Sequence, residues 1–305
     1  MTTTFSFFGV TTTSSAIRRI FPRWMAELGI DSELVGLDFA VDAPAAEYRK
    51  AVERIKADPQ SVGGLITTHK LNVLSAARDL FDELDDAAEL LKETSCIHKD
   101  GARLLGAALD DRTSLLGLDA LVGEGYWDGT RELVVLGAGG ASIALTLGLH
   151  RAARSGRPVP SRVIVTARSE ARLDEMRSLH AEIGFAIPTE YLVAGTSTEA
   201  DRVVASAGSG SVIVNATGMG KDRPGSPVSE VAPFPRDAVV WDMNYRGELR
   251  FLADARSQRR DDLRVVDGWD YFVYSWTMVV GVVYGIDIPA AGPLFDRLSE
   301  LARAA

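Results

Sequence analysis

Apolar positions along the chain follow two different periods, and the two kinds of segment alternate. Apolar runs predict strands at Phe5–Val10, Leu34–Val41 and Gly63–Thr68. Positions with a helical period predict helices at Ala16–Leu28, Ala45–Lys56 and Leu71–Leu84. Strands that alternate with helices are typical of a largely parallel α/β sheet.

A second α/β run begins after the turn-rich segment Gly123–Gly129. Its buried strands are predicted at Glu132–Leu136, Arg162–Thr166, Ser211–Val214 and Ala238–Trp241. The segment from Tyr271 onward is helical in pattern and rich in large apolar residues, so we expect it to pack back on the first domain. We therefore predict one α/β domain at 1–118, completed by 271–305, and a second at 119–270.

A glycine-rich turn joins the strand at Leu133–Leu136 to an apolar helix at Ile143–His150. The residues of this turn are Gly137, Ala138, Gly139, Gly140 and Ala141. Glycines allow the backbone to approach a pyrophosphate, and the helix N-terminus presents free N–H groups and the positive end of its dipole. The order of strand, turn and helix favours a Rossmann-type dinucleotide site, with a tight turn that binds nothing as the alternative.

The end of the next strand indicates which dinucleotide is bound. Arg168 and Ser169 follow this strand directly, and Arg172 lies close behind them. A carboxylate at this place would bind the ribose 2′-hydroxyl of NAD, whereas two arginines and a hydroxyl suit the 2′-phosphate of NADP. The sequence therefore favours NADP over NAD, and a solvated basic loop ahead of a helix is the alternative.

Composition narrows the class of protein. The 305 residues are 46% hydrophobic and 25% charged, as in ordinary soluble globular proteins. A net charge of −9 argues against a nucleic-acid partner, because phosphate binding requires a basic face. No apolar run approaches the roughly 18–20 residues of a membrane span, and the N-terminus does not resemble a secretion signal. The single cysteine, Cys96, fits a cytoplasmic location, and no metal-ligand spacing is present.

Short motifs along nearly the whole chain resemble the shikimate/quinate dehydrogenase family. In chain order they are the strand ending at Gly9, Thr67-Thr68-His69-Lys70, Arg103-Leu104-Leu105-Gly106 leading to Asp110, the glycine turn, Ala167-Arg168-Ser169, Asn215-Ala216-Thr217-Gly218-Met219, Asp242-Met243-Asn244-Tyr245, and Gly268 to Trp276. The resemblance implies an N-terminal α/β substrate domain, a Rossmann-type NADP-binding domain, and C-terminal helices that return to the first domain. It also implies an oxidoreductase of aromatic amino acid biosynthesis.

The resemblance implies roles for particular residues. Lys70 and Asp110 correspond to the family's catalytic pair. Cofactor contacts are implied for four further residues: Asn215, Thr217, Met243 and Gly268. The implied pair is chemically sound, because hydride removal from a secondary alcohol requires the hydroxyl proton to leave, and a lysine beside an aspartate can accept it. A surface lysine at a helix start and a helix-capping aspartate are the alternatives.

The substrate-binding positions depart from the family. Its N-terminal motif has a His-Ser pair and a second serine that bind the substrate carboxylate, and the matching residues here are Ser14, Ser15 and Ile17. A family threonine, asparagine and glutamine are matched by Ile66, Ser95 and Ser275. The substrate-binding candidates that remain are Ser15, Ser95, Tyr245 and Ser275.

These departures bear on the substrate. A buried hydroxyl that loses its partner costs about 1–3 kcal/mol, so several lost partners weaken shikimate binding severely. We therefore expect weak or absent shikimate activity and a preference for a bulkier or less polar cyclic alcohol or ketone.

Several neighbouring residues have two interpretations. The arginines after Ser15, at positions 18, 19 and 23, form either a solvated helix face or a replacement carboxylate clamp. His69 is either a second proton carrier or a packing and capping residue. The aromatic residues of the C-terminal segment either fill a core or line the substrate pocket; they are Trp269, Tyr271, Tyr274 and Trp276.

Three functional hypotheses follow. The first is an NADP-dependent, shikimate dehydrogenase-like enzyme that acts on a cyclic secondary alcohol or ketone, as a monomer or homodimer. The second is a folate-linked dehydrogenase on a related two-domain fold. The third is a nucleotide-binding sensor without turnover, which the lost polar residues suggest and the retained Lys70 and Asp110 oppose.

Overall fold

The computed structural model describes residues 1–221 and 223–305, and these form two compact units. Unit 1 comprises Met1–Asp110 and Val273–Ala305, and unit 2 comprises Asp111–Phe272. Both are α/β units, and the predicted fold class is confirmed. The division lies eight residues before the expected one at 118, because Leu118 and Leu121 of the connecting helix are buried in the core of unit 2.

The first part of unit 1 alternates strands and helices. Its elements are β1 (Thr3–Gly9), α1 (Ile17–Leu28), β2 (Ser32–Asp38), α2 (Ala45–Ala57), β3 (Ser61–Ile66), α3 (Lys70–Ala77), β4 (Glu83–Leu84), α4 (Asp86–Leu91), β5 (Cys96–Asp100) and β6 (Arg103–Ala107). Helix α3 ends well before the predicted Leu84, because a 3₁₀ turn at Arg78–Leu80 leads into β4, which pairs with β6.

The sheet of unit 1 has the strand order β2-β1-β3-β5-β6-β4. Strand β1 is parallel to β2 and β3, while β5 is antiparallel to both β3 and β6. As a result, β1, β3 and β6 all end at one edge of the sheet, and β5 begins there. We call this edge the carboxyl edge of unit 1.

Unit 2 is a second run of strands and helices. Its elements are α5 (Asp110–Val122), β7 (Leu133–Leu136), α6 (Gly140–Arg154), β8 (Val163–Ala167), α7 (Glu170–Ile183), β9 (Thr189–Val193), α8 (Ser197–Ser206), β10 (Val212–Asn215), β11 (Val239–Asp242), α9 (Arg250–Ser257) and β12 (Arg264–Val266). Helix α10 (Trp269–Tyr284) begins in unit 2 and continues into unit 1, where α11 (Pro293–Arg303) follows.

The sheet of unit 2 is entirely parallel, with the order β12-β11-β10-β7-β8-β9. Counted from β7, this is the 3-2-1-4-5-6 order of the doubly wound nucleotide-binding fold. The four central strands, β7, β8, β10 and β11, are fully buried, which explains their continuous apolar sequence. The edge strands β9 and β12 are only half-buried, and their mixed sequences give no strand signal.

The C-terminal helices pack within unit 1. The indole Nε1 of Trp24 on α1 donates a hydrogen bond of 2.8 Å to the Leu298 carbonyl of α11. Trp276 on α10 lies against Phe5 and Phe7 of β1, with ring centroids 6.0 and 5.0 Å apart. These contacts bury the apolar faces of both helices, which carry the large side chains that the sequence showed. Among the described residues, no helix is long and apolar enough to cross a membrane.

Candidate active site

The carboxyl edge of unit 1 collects the predicted catalytic residues. Lys70 is the first residue of α3, four positions after the end of β3, and Asp110 is the first residue of α5, three positions after β6. Because β3 and β6 end at the same edge, the turns that follow them lie side by side. The Lys70 ammonium and the Asp110 carboxylate form an ion pair there.

This ion pair is only partly shielded from solvent. The exposed fractions are 20% for the Lys70 side chain and 13% for the Asp110 side chain. Most of each side chain is therefore covered by protein, and a small part of each remains exposed to solvent. A lysine amine fixed by a carboxylate is suited to exchange a proton with a substrate oxygen.

Buried hydrogen bonds support both turns. The Thr67 hydroxyl donates a bond of 3.0 Å to the Phe8 carbonyl and so ties the turn before Lys70 to β1. The Ser95 hydroxyl accepts a bond of 2.9 Å from the Leu109 N–H, immediately before Asp110. Ser95 is 3% exposed. Ser95 therefore holds the backbone next to Asp110 in place. The sequence comparison had instead suggested that Ser95 binds the substrate, because it matches a substrate-binding asparagine of the family.

The other polar candidates of unit 1 are placed differently. Ser15 follows the 3₁₀ turn Thr12–Ser14 beyond β1, and its hydroxyl forms no hydrogen bond within 1–221 and 223–305. Ser275 is half-buried on α10. Arg18 and Arg23 of α1 donate to the carbonyls of Leu34 and Ala304, at 3.3 and 2.8 Å. These two arginines thus bind backbone carbonyls of the protein, which favours an exposed helix face over a replacement carboxylate clamp.

His69 is a packing residue rather than an exposed proton carrier. It is 1% exposed, and its Nδ1 lies 2.9 Å from the Tyr48 hydroxyl. Its ring meets Phe39 edge-on with centroids 5.8 Å apart. Burial lowers the pKa of His69, so the ring is neutral at pH 7. Its carbonyl accepts the Val73 N–H, which anchors the first turn of α3 beside Lys70.

The glycine turn of unit 2 has the geometry that a pyrophosphate requires. Gly137 has φ +109°, and a Cβ added there would lie 3.1 Å from the Ala216 carbonyl oxygen. Gly139 is the N-cap of α6, and a Cβ added there meets no atom within 4 Å, so the space outside the turn is open. The first N–H groups of a helix lack partners inside it. Gly140 and Ala141 occupy this first turn, and Ala138 is buried against the core.

The loop after β8 presents basic and hydroxyl groups to solvent. Arg168 and Ser169 are both exposed, and neither side chain forms a hydrogen bond or ion pair within the described part of the chain. Ser169 is the N-cap of α7 without a capping side-chain bond. Arg172 differs, because it pairs with Glu175 at 2.6 Å. Arg168 and Ser169 are therefore the groups of this loop that can bind an anion without first losing a partner.

A buried polar network joins the ends of β10 and β11. Asn215 and Asp242 are register partners, both fully buried. The Asp242 carboxylate accepts the Asn215 side-chain N–H at 3.0 Å and two N–H groups of Asn244, at 2.9 Å from the backbone and 2.7 Å from the side chain. Burial raises the pKa of Asp242 to about 6, although these bonds oppose the shift.

The remaining cofactor candidates adjoin this network. The Thr217 backbone N–H and hydroxyl both donate to the Asn215 amide oxygen, at 3.1 and 2.6 Å. The Met243 N–H donates to the Asn215 carbonyl, and the Gly268 N–H donates to the Asn244 carbonyl. Asp242 and Asn244 belong to one of the family motifs, but the sequence assigned no role to either residue. One sequence feature could have indicated this network: the apolar strands β10 and β11 each end in a polar residue, Asn215 and Asp242.

The aromatic residues near the end of unit 2 form a cluster of their own. Tyr245, a substrate-binding candidate, is half-buried. Its ring packs at a tilt on Phe272, with centroids 4.2 Å apart, and meets Trp269 edge-on at 5.8 Å. Tyr271 meets Trp241 edge-on at 6.3 Å. In unit 1, Tyr274 stacks on Phe295 at 4.7 Å. These contacts favour the packing interpretation for the aromatic segment.

Metal ligands do not cluster in residues 1–221 and 223–305, where no three His, Cys, Asp or Glu side chains converge. Cys96 is buried, and burial raises the pKa of its thiol well above the ordinary value.

Comparison with known proteins adds an independent result. The chain is 30% identical over 223 residues to the shikimate dehydrogenase (NADP(+)) of Symbiobacterium thermophilum, which covers 71% of this chain and 69% of that protein. Two solved structures have a similar fold over nearly their whole length. Quinate dehydrogenase from Corynebacterium glutamicum in complex with NAD has a TM-score of 0.74 and 17% identity, and the match covers 100% of this chain and 99% of that one. Ligand-free 5-ketofructose reductase from a Gluconobacter species has a TM-score of 0.72 and 19% identity, with the same two coverages. No protein-family model matches the chain.

The fold and the relatives together define a two-domain α/β oxidoreductase with a Rossmann-type unit. The sequence identity to the Symbiobacterium enzyme also shows the family. The chain belongs to the shikimate dehydrogenase family, as the sequence motifs predicted.

The raised pKa of Asp242 predicts a pH dependence of stability. In the unfolded chain this carboxyl ionises near pH 4, but in the folded protein it ionises near pH 6, so its contribution to folding is most favourable below pH 4 and declines as the pH rises to 6. We expect the stability difference between wild type and Asp242→Asn to change across this interval by up to about 3 kcal/mol. Urea unfolding of both proteins from pH 4.5 to 7 measures it, and a difference that stays constant contradicts it.

Proposed function

We propose that this protein is an NADP-dependent oxidoreductase that interconverts a cyclic secondary alcohol and its ketone, with Lys70 and Asp110 as the acid–base pair. The observation that carries the proposal is the Lys70–Asp110 ion pair at the carboxyl edge of unit 1, in a chain that belongs to the shikimate dehydrogenase family. The nicotinamide, when bound, supplies or accepts the hydride at the carbon that bears the oxygen.

Lys70 moves the proton that accompanies the hydride. During reduction, its ammonium donates a proton from Nζ to the substrate oxygen as the carbonyl carbon gains the hydride, which leaves a neutral amine. During oxidation, the neutral amine accepts the hydroxyl proton as the C–H bond yields its hydride. The Asp110 carboxylate holds Nζ in place and stabilises the ammonium form.

The preference for NADP rests on Arg168 and Ser169. Both are exposed, unpaired within the described residues, and located directly after β8, the second strand of the Rossmann unit. A guanidinium with free N–H groups binds a 2′-phosphate strongly, whereas a 2′-hydroxyl gains little from it. NAD is the alternative cofactor of this proposal.

The substrate is proposed to lack a carboxylate at the position where the family binds one. Ser14 and Ile17 replace the family's histidine and second serine. Arg18 and Arg23 bind backbone carbonyls and do not restore a clamp. Exposed hydroxyls are provided instead by Thr11, Thr13 and Ser14. An uncharged polyhydroxy ring or ketone therefore suits this edge better than a ring acid.

The other hypotheses are weaker. The family relationship opposes the folate-linked dehydrogenase, and the Lys70–Asp110 pair opposes a sensor without turnover. A cytoplasmic location and a monomeric or homodimeric state complete the proposal.

Removal of the acid–base pair should abolish turnover but retain the fold. We expect Lys70→Met to lower kcat by about 100-fold to 10,000-fold. Asp110→Asn should lower it by about 10-fold to 100-fold, because a charge-assisted hydrogen bond is lost. Lys50→Met, an exposed lysine on α2, is the matched control. NADP reduction with the best substrate from a panel of cyclic polyols, aminocyclitols and quinate-like acids measures the effect, and full activity of Lys70→Met refutes the assigned role.

Cofactor selectivity should depend on Arg168 more than on Arg172. We expect Arg168→Ala to weaken NADPH binding by about 10-fold to 100-fold and to leave NADH binding nearly unchanged, because only NADPH carries the 2′-phosphate. Arg172→Ala is the matched control and should have a smaller effect, since Arg172 is already paired with Glu175. Fluorescence titration with both cofactors measures the dissociation constants. Equal losses for NADPH and NADH would contradict the assignment.

Shikimate should be a poor substrate. The loss of several polar partners, each worth about 1–3 kcal/mol, lowers kcat/KM for shikimate by a factor of the order of 1,000 relative to the best substrate of the same panel. Steady-state NADP reduction over a concentration series of each compound measures this ratio. If shikimate proves to be the best substrate, the proposed change of pocket is wrong, although the oxidoreductase assignment stands.

A further inference from the structure

The ends of three neighbouring strands of unit 2 border the place where its strand order reverses. Strand β10 lies between β7, which ends at Leu136, and β11, which ends at Asp242. In open parallel sheets of this kind, dinucleotides bind in the crevice at the carboxyl ends of the strands beside the reversal. The loops that follow β10 and β11 therefore border the expected place of the crevice. The loop after β10 lies directly beside the glycine turn, since a Cβ added to Gly137 would lie 3.1 Å from the Ala216 carbonyl oxygen.

Asp242 is the centre of the hydrogen bonds that hold these two loops. It is fully buried, and all three of its partners are N–H groups, from Asn215 and Asn244. Its carboxylate forms no ion pair in the part of the chain that the structure describes. A buried carboxylate without a cation is costly unless N–H donors surround it, so this arrangement requires each of them.

The orientation of Asn215 is set by its other partners. Its amide oxygen accepts two bonds from Thr217, which leaves its amide nitrogen to donate to Asp242 and, at 3.2 Å, to the Met219 carbonyl. The Asn244 side chain donates to the same carbonyl, also at 3.2 Å. The loop after β10 and the loop after β11 are thus joined through one carboxylate and one carbonyl.

A third segment closes on this network. The Gly268 N–H donates a bond of 2.9 Å to the Asn244 carbonyl. A Cβ added to Gly268 would lie 2.2 Å from the Met243 carbonyl oxygen, so only glycine fits there. The predicted cofactor contacts Thr217, Met243 and Gly268 lie on three different segments. The positions of all three segments therefore depend on Asp242 and its two asparagine partners.

We propose that Asp242 is the positioning residue of the dinucleotide crevice, and that its carboxylate holds the loops after β10 and β11 in the conformation that binds the cofactor. This inference rests on the proposed function, since it assumes that unit 2 binds NADP(H). Asp242 itself does not touch the cofactor, because it is buried beneath the loops that it holds.

The direction of the hydrogen bonds predicts the effect of exchanging acid and amide. In Asp242→Asn, the new amide N–H group faces either the Asn215 N–H, which then loses its acceptor, or the Asn244 N–H groups, both of which lose theirs. In Asn215→Asp, two carboxylates face each other. In the double variant Asn215→Asp/Asp242→Asn, residue 242 donates to residue 215 while it still accepts from Asn244. The bond from residue 215 to the Met219 carbonyl is lost, so the double variant repairs the contact between the two side chains but not the whole network.

The experiment is a fluorescence titration with NADPH on the full chain in all four forms. We expect each single variant to raise the dissociation constant by about tenfold or more. The double variant should bind NADPH at least about threefold more tightly than either single variant, since the coupling of neighbouring sites is not additive, although it does not regain the bond to Met219. A double variant no better than either single variant, or Asp242→Asn within about twofold of wild type, would overturn the inference.

A matched control separates positioning from general loss of stability. Asp254 is another buried carboxylate of unit 2, paired with Arg250 on α9 at 2.7 Å. Asp254→Asn should lower the urea midpoint and leave the NADPH dissociation constant unchanged. If the NADPH affinity of Asp254→Asn falls as far as that of Asp242→Asn, a purely structural role is indicated and the inference is overturned.

Two further measurements keep the result interpretable. If Asp242→Asn does not fold, Asn244→Ala takes its place, because it removes only the side-chain bonds to Asp242 and Met219. This variant should weaken NADPH binding severalfold. Unchanged binding by Asn244→Ala would then overturn the inference. Failure of the wild type to bind NADPH would instead refute the proposed function. Normal binding by the wild type together with normal binding by Asp242→Asn refutes this inference alone.

Discussion

The ion pair between Lys70 and Asp110 is the interaction on which the proposed chemistry depends. The two residues are 40 positions apart, and they meet because β3 and β6 end at the same edge of one sheet. The turns that present them are fixed from beneath, by the Thr67 hydroxyl on the β1 backbone and by the Ser95 hydroxyl on the Leu109 N–H. A proton-transfer group needs such support, because a small displacement from the substrate oxygen costs much of its rate.

In unit 2, as in unit 1, the candidate binding residues lie where neighbouring strands end. Its parallel strands place the glycine turn, the basic loop at Arg168 and the Asn215–Asp242 network at one edge. The exposed guanidinium and the open space outside Gly139 suit an anionic ligand, whereas the buried carboxylate serves the protein's own loops. Charges of opposite sign thus coexist at one edge of the sheet, because the Arg168 guanidinium is exposed and the Asp242 carboxylate is enclosed by N–H donors.

Much of this organisation was predictable from local sequence, because local signals were strong. Apolar runs such as Leu133–Leu136 are fully buried parallel strands, and the residues of the glycine turn occupy the strand-to-helix position that was expected. The family and the fold class were confirmed by the comparison and the topology. The edge strands β9 and β12 and the antiparallel pair β5–β6 were not predicted. Strand β12 has only three residues, and the other three strands mix polar and apolar residues without a continuous apolar run.

The sequence by itself determined the alternation of strands and helices, the family, and the residue types available for catalysis and dinucleotide binding. Only the tertiary structure decided how those residues are used. It showed Ser95 as the support of Asp110, His69 as a neutral packing residue and Asp242 as the centre of a loop network. Such roles depend on strand register and on which N–H group meets which oxygen, and these are properties of pairs of residues far apart in the chain.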